Sequence, residues 1–278
     1  MVKKKSRKKP TKRKSKKKTT QLPLIDPPSN ADAYSMRQWQ NHFKKIYFKQ
    51  NKIIKKKGFQ NNQAAFIRGY IMFNITKDLG DLAESIRESN RDNTKRYIGS
   101  MFAWVSALAN EIDFDLENAI WDKYPGFCPY CHKESDCDDA WWTTTQKKKD
   151  KDPKPKILSD HTPLPRPQSL IGWIENWNTM YGNKYRTAME THNIMFKLFE
   201  ENAEILSEID KIKSNKVPRS KKLQREVADF VSWMFAIVIK FDNSFPKEEL
   251  PKILFGKFGK GCKKCKNREC KCKIKWLK

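Results

Sequence analysis

The sequence predicts an all-α fold, an internally duplicated antiparallel helical bundle with small cysteine clusters. Three observations carry that expectation. Apolar residues recur at helical spacing along the chain, and no stretch alternates as a strand would. The segment Ile71–Ile86 is echoed by Ile194–Ile209, and each is followed by an apolar helix centred on a tryptophan, Trp104 or Trp233. Each repeat then ends in a Cys-x-x-Cys cluster, Cys128/Cys131 or Cys262/Cys265.

The elements follow in order. Residues 1–33 form a Lys-rich tail; its first thirty residues hold twelve Lys or Arg against one acid, Asp26. Such a segment has too little apolar surface to bury and is expected to be disordered. It lacks the apolar run of a secretory signal, and no stretch of the chain is apolar enough to span a membrane. With no export signal, a cytoplasmic location is expected.

The first copy occupies residues 34–139. It opens with Trp39, Phe43 and Tyr47, spaced by four so that they line one helical face. The second copy, 168–278, opens with the matching stripe Trp173, Trp177 and Tyr181. Between them, residues 140–167 are rich in Pro and Lys. Prolines 153, 155, 163, 165 and 167 forbid a regular helix, so this is a linker. Two such halves would pack as a pseudo-dimer within one chain.

The acids are unequally shared. In the second copy Glu201 and Glu204 lie three residues apart, hence on one helical face, and Glu208 extends the stripe by a turn. They border the apolar arc of Met195, Leu198, Phe199, Ile205, Leu206 and Ile209. Glu226 and Asp229 repeat the spacing on the next helix, beside Val227, Phe230 and Val231. Antiparallel packing would make four carboxylates converge. Two bare carboxylates about 4 Å apart repel by roughly 4 kcal/mol at an effective dielectric near 20, so such a cluster persists only with protons or a cation. An all-oxygen donor set suits Mg²⁺ or Mn²⁺, and magnesium held this way binds substrate phosphates. A single Glu-x-x-Glu on a Lys-rich helix is usually a solvated face. Two such pairs on consecutive helices, both at an apolar border, are far more specific.

The run Leu198-Phe-Glu-Glu-Asn-Ala-Glu-Ile-Leu-Ser-Glu208, followed by Glu226-Val-Ala-Asp229, resembles the MazG family of all-α nucleoside triphosphate pyrophosphohydrolases, with its Glu-Glu-x-x-Glu and Glu-x-x-Asp motifs. The resemblance spans most of residues 35–260. It implies Mg²⁺ held by Glu201, Glu204, Glu226 and Asp229 as the catalytic set. It implies cleavage of a nucleoside triphosphate to monophosphate and pyrophosphate. Lys222 matches a basic position that binds phosphates in related enzymes, and Glu200 and Trp233 complete the expected substrate-binding set. In the first copy the metal positions become Asp78 and Asp81, then Tyr97 and Ser100. A tyrosine and a serine cannot complete the cage, so that half is expected to bind metal poorly. Ala203 stands where family members carry glycine, and the loop before Lys222 is long and basic.

Seven cysteines fall in two clusters, and in a reducing compartment their spacing reads as metal-binding. Cys262, Cys265, Cys270 and Cys272 can wrap one structural Zn²⁺ with no position left for water. Cys128, Cys131 and Cys137 supply three ligands of a second site, for which His132 and Asp139 are candidate fourth ligands. A nuclease of the HNH type would need a second Cys pair soon after Asp160-His161, and the next pair is Cys262/Cys265. The alternative function is a basic, zinc-containing nucleic-acid-binding protein on an eroded hydrolase scaffold. The net charge of +26 favours an anionic partner: a nucleoside triphosphate, or nucleic acid held nonspecifically by the tail. An internal pseudo-dimer could also pair again as a homo-oligomer.

Overall fold

A computed structural model describes residues 33–57, 63–137, 164–212, 220–241, 243 and 246–272, and among them every regular element is helical. The elements are α1 (Met36–Lys57), α2 (Gln63–Arg87), α3 (Arg91–Ile112), α4 (Leu116–Lys123), α5 (Leu170–Thr187), α6 (Thr191–Asp210), α7 (Lys221–Lys240) and α8 (Glu249–Phe258). The Lys-rich tail and most of the Pro/Lys-rich linker, Asp160 and His161 among it, lie outside the described residues. None of the described helices is long and apolar enough to cross a membrane.

Side-chain caps start most of the well-defined helices. Asn90, Asp115, Ser169 and Ser220 accept hydrogen bonds from the backbone N–H of Asn93, Asn118, Gly172 and Leu223, opening α3, α4, α5 and α7. Each satisfies a donor that the first helical turn leaves without a partner. The tight turn at Glu88–Asn90 sends α3 back along α2. In the second half Glu208 meets Lys222 while Glu204 meets Glu226, so α7 runs back along α6.

The core is continuous and rich in aromatic residues. Trp39, Phe43, Trp173, Trp177, Phe230 and Phe235 are fully buried in it. Both aromatic stripes expected from the sequence face inward, with Trp39 stacked on Phe43 and Trp177 edge-on to Phe235. The apolar arc of α6 is narrower than its sequence suggests. Met195, Leu198 and Ile205 are buried, whereas Phe199 and Leu206 are about two-fifths exposed at 40% and 41%. Periodicity defines the full arc, but only the part that meets α7 and α2 is covered.

The order of packing crosses the chain. α4 docks on α7 and α8 docks on α3, so each short helix covers the long apolar helix of the other half. Gly99 permits the second contact: a Cβ there would lie 2.8 Å from Ile253 Cγ2. The segments after these short helices cross as well. The Cys137 N–H donates to the Met180 carbonyl on α5 (2.8 Å), and the Cys270 N–H donates to the Ile46 carbonyl on α1 (2.7 Å). Met180 and Ile46 stand one residue before Tyr181 and Tyr47 in their respective stripes. Gly126, at φ +83°, makes the turn after α4; a Cβ there would sit 2.5 Å from the Leu164 carbonyl oxygen.

Trp177 joins these layers. Its ring meets Tyr124 and Phe235 edge-on, and its indole N–H donates to Ser232 Oγ (2.8 Å). Trp177→Ala is expected to lower unfolding free energy by about 3–5 kcal/mol in chemical denaturation, through lost burial and the cavity left behind.

Candidate metal centres

Three groups of side chains come within metal-binding reach among the described residues. The first lies on α6 and α7. One carboxylate oxygen from each of Glu201, Glu204 and Glu226 falls within 4.8 Å of the others. Glu201 and Glu226 are buried, while Glu204 faces solvent. Glu201 Oε2 is buried with no hydrogen-bond partner, and Glu226 shares a hydrogen bond with Glu204. Burial, then the charges of Asp229 and Glu204, push the Glu201 carboxyl up to about 9. Burial and the bond to Glu204 raise Glu226 to about 8. At neutral pH these groups hold protons that a divalent cation would displace. An all-carboxylate set with an orphaned buried oxygen fits a hard cation such as Mg²⁺ or Mn²⁺.

Asp229 does not complete that group. Its carboxylate is ion-paired with Lys123 Nζ from the last turn of α4 and accepts a hydrogen bond from Tyr124 Oη at 2.6 Å. Lys123 is buried and close enough to favour the charged forms of Glu201 and Glu226. Burial, first of all, holds the Tyr124 phenol well above its ordinary range, so it remains a donor. Lys123 and Tyr124 were not legible as site residues. They belong to a short helix about a hundred positions from Asp229, and only the docking of α4 on α7 reveals them.

The other expected site residues are distributed around this core. Lys222 bonds to Glu208 (2.8 Å) and lies 3.9 Å from Glu226. Glu208 is further held by Lys211 at 2.7 Å, and those bonds lower its pKa. Glu200 points outward and pairs with Lys197. Trp233 is buried against Tyr185.

The corresponding face of the first half gathers no such group among the described residues. Asp78 and Asp81 are both engaged by Lys77, at 3.6 and 2.5 Å. Tyr97 Oη accepts from Arg96, whose guanidinium also sits 4.7 Å over the Tyr97 ring. Ser100 Oγ accepts from Lys257 Nζ at 3.1 Å.

The two cysteine clusters could each hold a metal such as zinc. Cys262, Cys265, Cys270 and Cys272 converge, with Sγ separations of 3.2 Å for Cys262–Cys270 and 3.7 Å for Cys262–Cys272. Tetrahedral zinc–thiolate bonds of about 2.3 Å place sulfurs about 3.8 Å apart, so little movement is needed. The Lys271 N–H donates to Cys265 Sγ and draws that thiol down to about 5, in the thiolate range. Cys128, Cys131 and Cys137 form the third group, with Cys137 Sγ 3.4 Å from Cys131 and 3.5 Å from Cys128. His132 does not join it. Its ring lies 5.9 Å from that of Phe127, and its Nδ1 is buried without a hydrogen-bond partner. Asp139 lies outside the described residues. The buried Lys184 of α5 contacts Cys137 Sγ at 3.6 Å, placing a cation where the sequence offered only ligands.

Compared with protein-family models, with curated proteins and with solved structures, the chain matches none.

Two outcomes follow. Metal analysis of the purified protein is expected to find zinc, and Cys270→Ser to lose the share bound by the four-thiol cluster and to melt earlier. The carboxylates set a pH dependence. An unfolded glutamate releases its proton near 4.3, whereas Glu201 and Glu226 retain theirs to about 9 and 8 in the metal-free fold. Over that window the folded state binds more protons, so metal-free stability is full below the unfolded pKa and falls as pH rises toward 9. Melting temperature against pH is expected to show that fall. Saturating Mg²⁺ and the Glu201→Gln substitution should each flatten it.

Proposed function

We propose that the chain is a Mg²⁺-dependent nucleoside triphosphate pyrophosphohydrolase, built as a duplicated MazG-like scaffold with one active site per chain. The observation that carries the reading is the convergence of Glu201, Glu204 and Glu226, with an orphaned oxygen on Glu201. A protein that only bound nucleic acid would have no use for a buried acid cluster with an orphaned carboxylate oxygen. The crossed packing supports duplication, since the cysteine-bearing segment of each half caps the aromatic helix of the other through matching backbone bonds.

Glu201, Glu204 and Glu226 would hold the cation, with Asp229 at its flank. A bound divalent cation supplies charge neutralisation on phosphate oxygens. Glu204, the solvent-facing member, positions a water and accepts its proton as the water oxygen bonds to the α-phosphorus. The bond from that phosphorus to the bridging oxygen breaks, and pyrophosphate leaves with the electron pair. Lys222, two turns along α7 from Asp229, is placed to meet the departing phosphates. Asp78, Asp81, Tyr97 and Ser100 serve the fold of the first half.

The second reading, a basic zinc-containing nucleic-acid-binding protein, is favoured by the +26 net charge. Salt-dependent binding that survives deletion of residues 1–30, with no triphosphate cleaved, would establish it. For the hydrolase, a full nucleotide panel with Mg²⁺ is expected to release pyrophosphate from at least one triphosphate. Glu201→Gln should reduce turnover at least a hundredfold, roughly the loss of a catalytic group. Equal, null results for wild type and Glu201→Gln across the panel would refute it.

A further inference from the structure

The fourth acid of the motif is already neutralised by a residue of the chain itself. Asp229 and Lys123 are both buried, and their ion pair is reinforced by Tyr124 Oη on the other carboxylate oxygen. The same ammonium acts electrostatically on Glu201 and Glu226, so it sits within the acid constellation and not merely beside it. Carboxylate sites that take two divalent ions hold them about 3.5–4 Å apart, and each ion needs its own share of carboxylate charge. Here three glutamates remain for metal and the aspartate is spent on a lysine.

We infer that Lys123 is a resident cation standing where a second divalent ion would otherwise bind, so that the site takes one metal ion per chain. The inference rests on the three-glutamate group being a metal site. Lys123 is a positioning residue in this scheme. It fixes Asp229, sets the charge of the cluster, and ties the site on α6 and α7 to a helix from the first half. Tethering explains why a lysine can compete with a divalent ion here. α4 is held on the bundle by Trp121 against Trp173 and by Arg166 bonded to Glu117 at 3.4 Å, so the ammonium is delivered without the cost of capturing a free ion.

A structural ion pair would have the same geometry, and metal counting separates the two. The full chain is titrated with Mn²⁺, with free ion followed by electron paramagnetic resonance. Wild type is expected to bind one Mn²⁺ at the carboxylates. Lys123→Met keeps the apolar stem and removes the ammonium from Asp229, leaving the bond from Tyr124 in place; it should bind a second Mn²⁺ or hold the first at least tenfold more tightly. Lys123→Arg, which keeps the charge, should remain at one, and Asp229→Asn added to Lys123→Met should remove the gain. Thermal melting confirms that each variant is folded, and Lys123→Arg keeps the test decisive if Lys123→Met is not. A second Mn²⁺ in Lys123→Arg would overturn the inference. One Mn²⁺ of unchanged affinity in Lys123→Met would overturn it and leave the metal site standing. No Mn²⁺ in either protein would overturn both. A nucleotide panel without turnover, alongside a second Mn²⁺ in Lys123→Met, would reject the hydrolase and retain the lysine.

Discussion

The docking of α4 across α7 is the contact on which the rest of the structure turns. It carries Lys123 to Asp229, while on α5 the half-buried Trp121 meets Trp173 and the buried Tyr124 meets Trp177. Acids that α6 and α7 hold close would otherwise repel one another in a setting with little water to screen them. Aromatic packing around the last turn of a short helix therefore makes an unfavourable charge arrangement beside it tolerable. The fold and the acid cluster depend on the same interface.

The docking of α8 on α3 sets a second lysine beside a long apolar helix. Lys257, in the last turn of α8, reaches the first long apolar helix and donates to Ser100 Oγ and the Arg96 carbonyl. Phe258 meets Phe43 edge-on as Tyr124 meets Trp177. Where Lys123 pairs with a carboxylate, Lys257 hydrogen-bonds neutral oxygens, and burial, then the charges of Lys263 and Arg96, bring its ammonium down to about 8 against the pull of the nearby Asp78 carboxylate. The packing that delivers this lysine also closes the core, through Phe258 on Phe43.

Helical periodicity made the architecture legible, because the aromatic stripes at Trp39 and Trp173 are buried as their spacing requires. The carboxylates of Glu201, Glu204 and Glu226 were legible for the same reason: i, i+3 spacing at an apolar border fixes a face. The thiols of the second cluster were legible because four donors lie within one short turn-rich segment. What local spacing could not supply was the partner across the core. Asp229 shares its face with Glu226, yet Lys123 claims it from a distant helix. Lys184 reaches Cys137 in the same way. His132, one residue from Cys131, stands at φ +59° with its ring near Phe127, a geometry invisible in the sequence.

The exchange of short helices and cysteine segments makes the two halves of the chain depend on each other. In the crossed arrangement α4 supplies Lys123 and Tyr124 to the acids of α7, and the segment of Cys137 caps α5. The first half is therefore part of the second half's acid cluster and core, while its own Asp78, Tyr97 and Ser100 pair with Lys77, Arg96 and Lys257. The acids of α6 and α7 owe their buried cation to a helix that lies before them in the chain, so the interface between the halves, and not either half alone, sets the charge of the cluster.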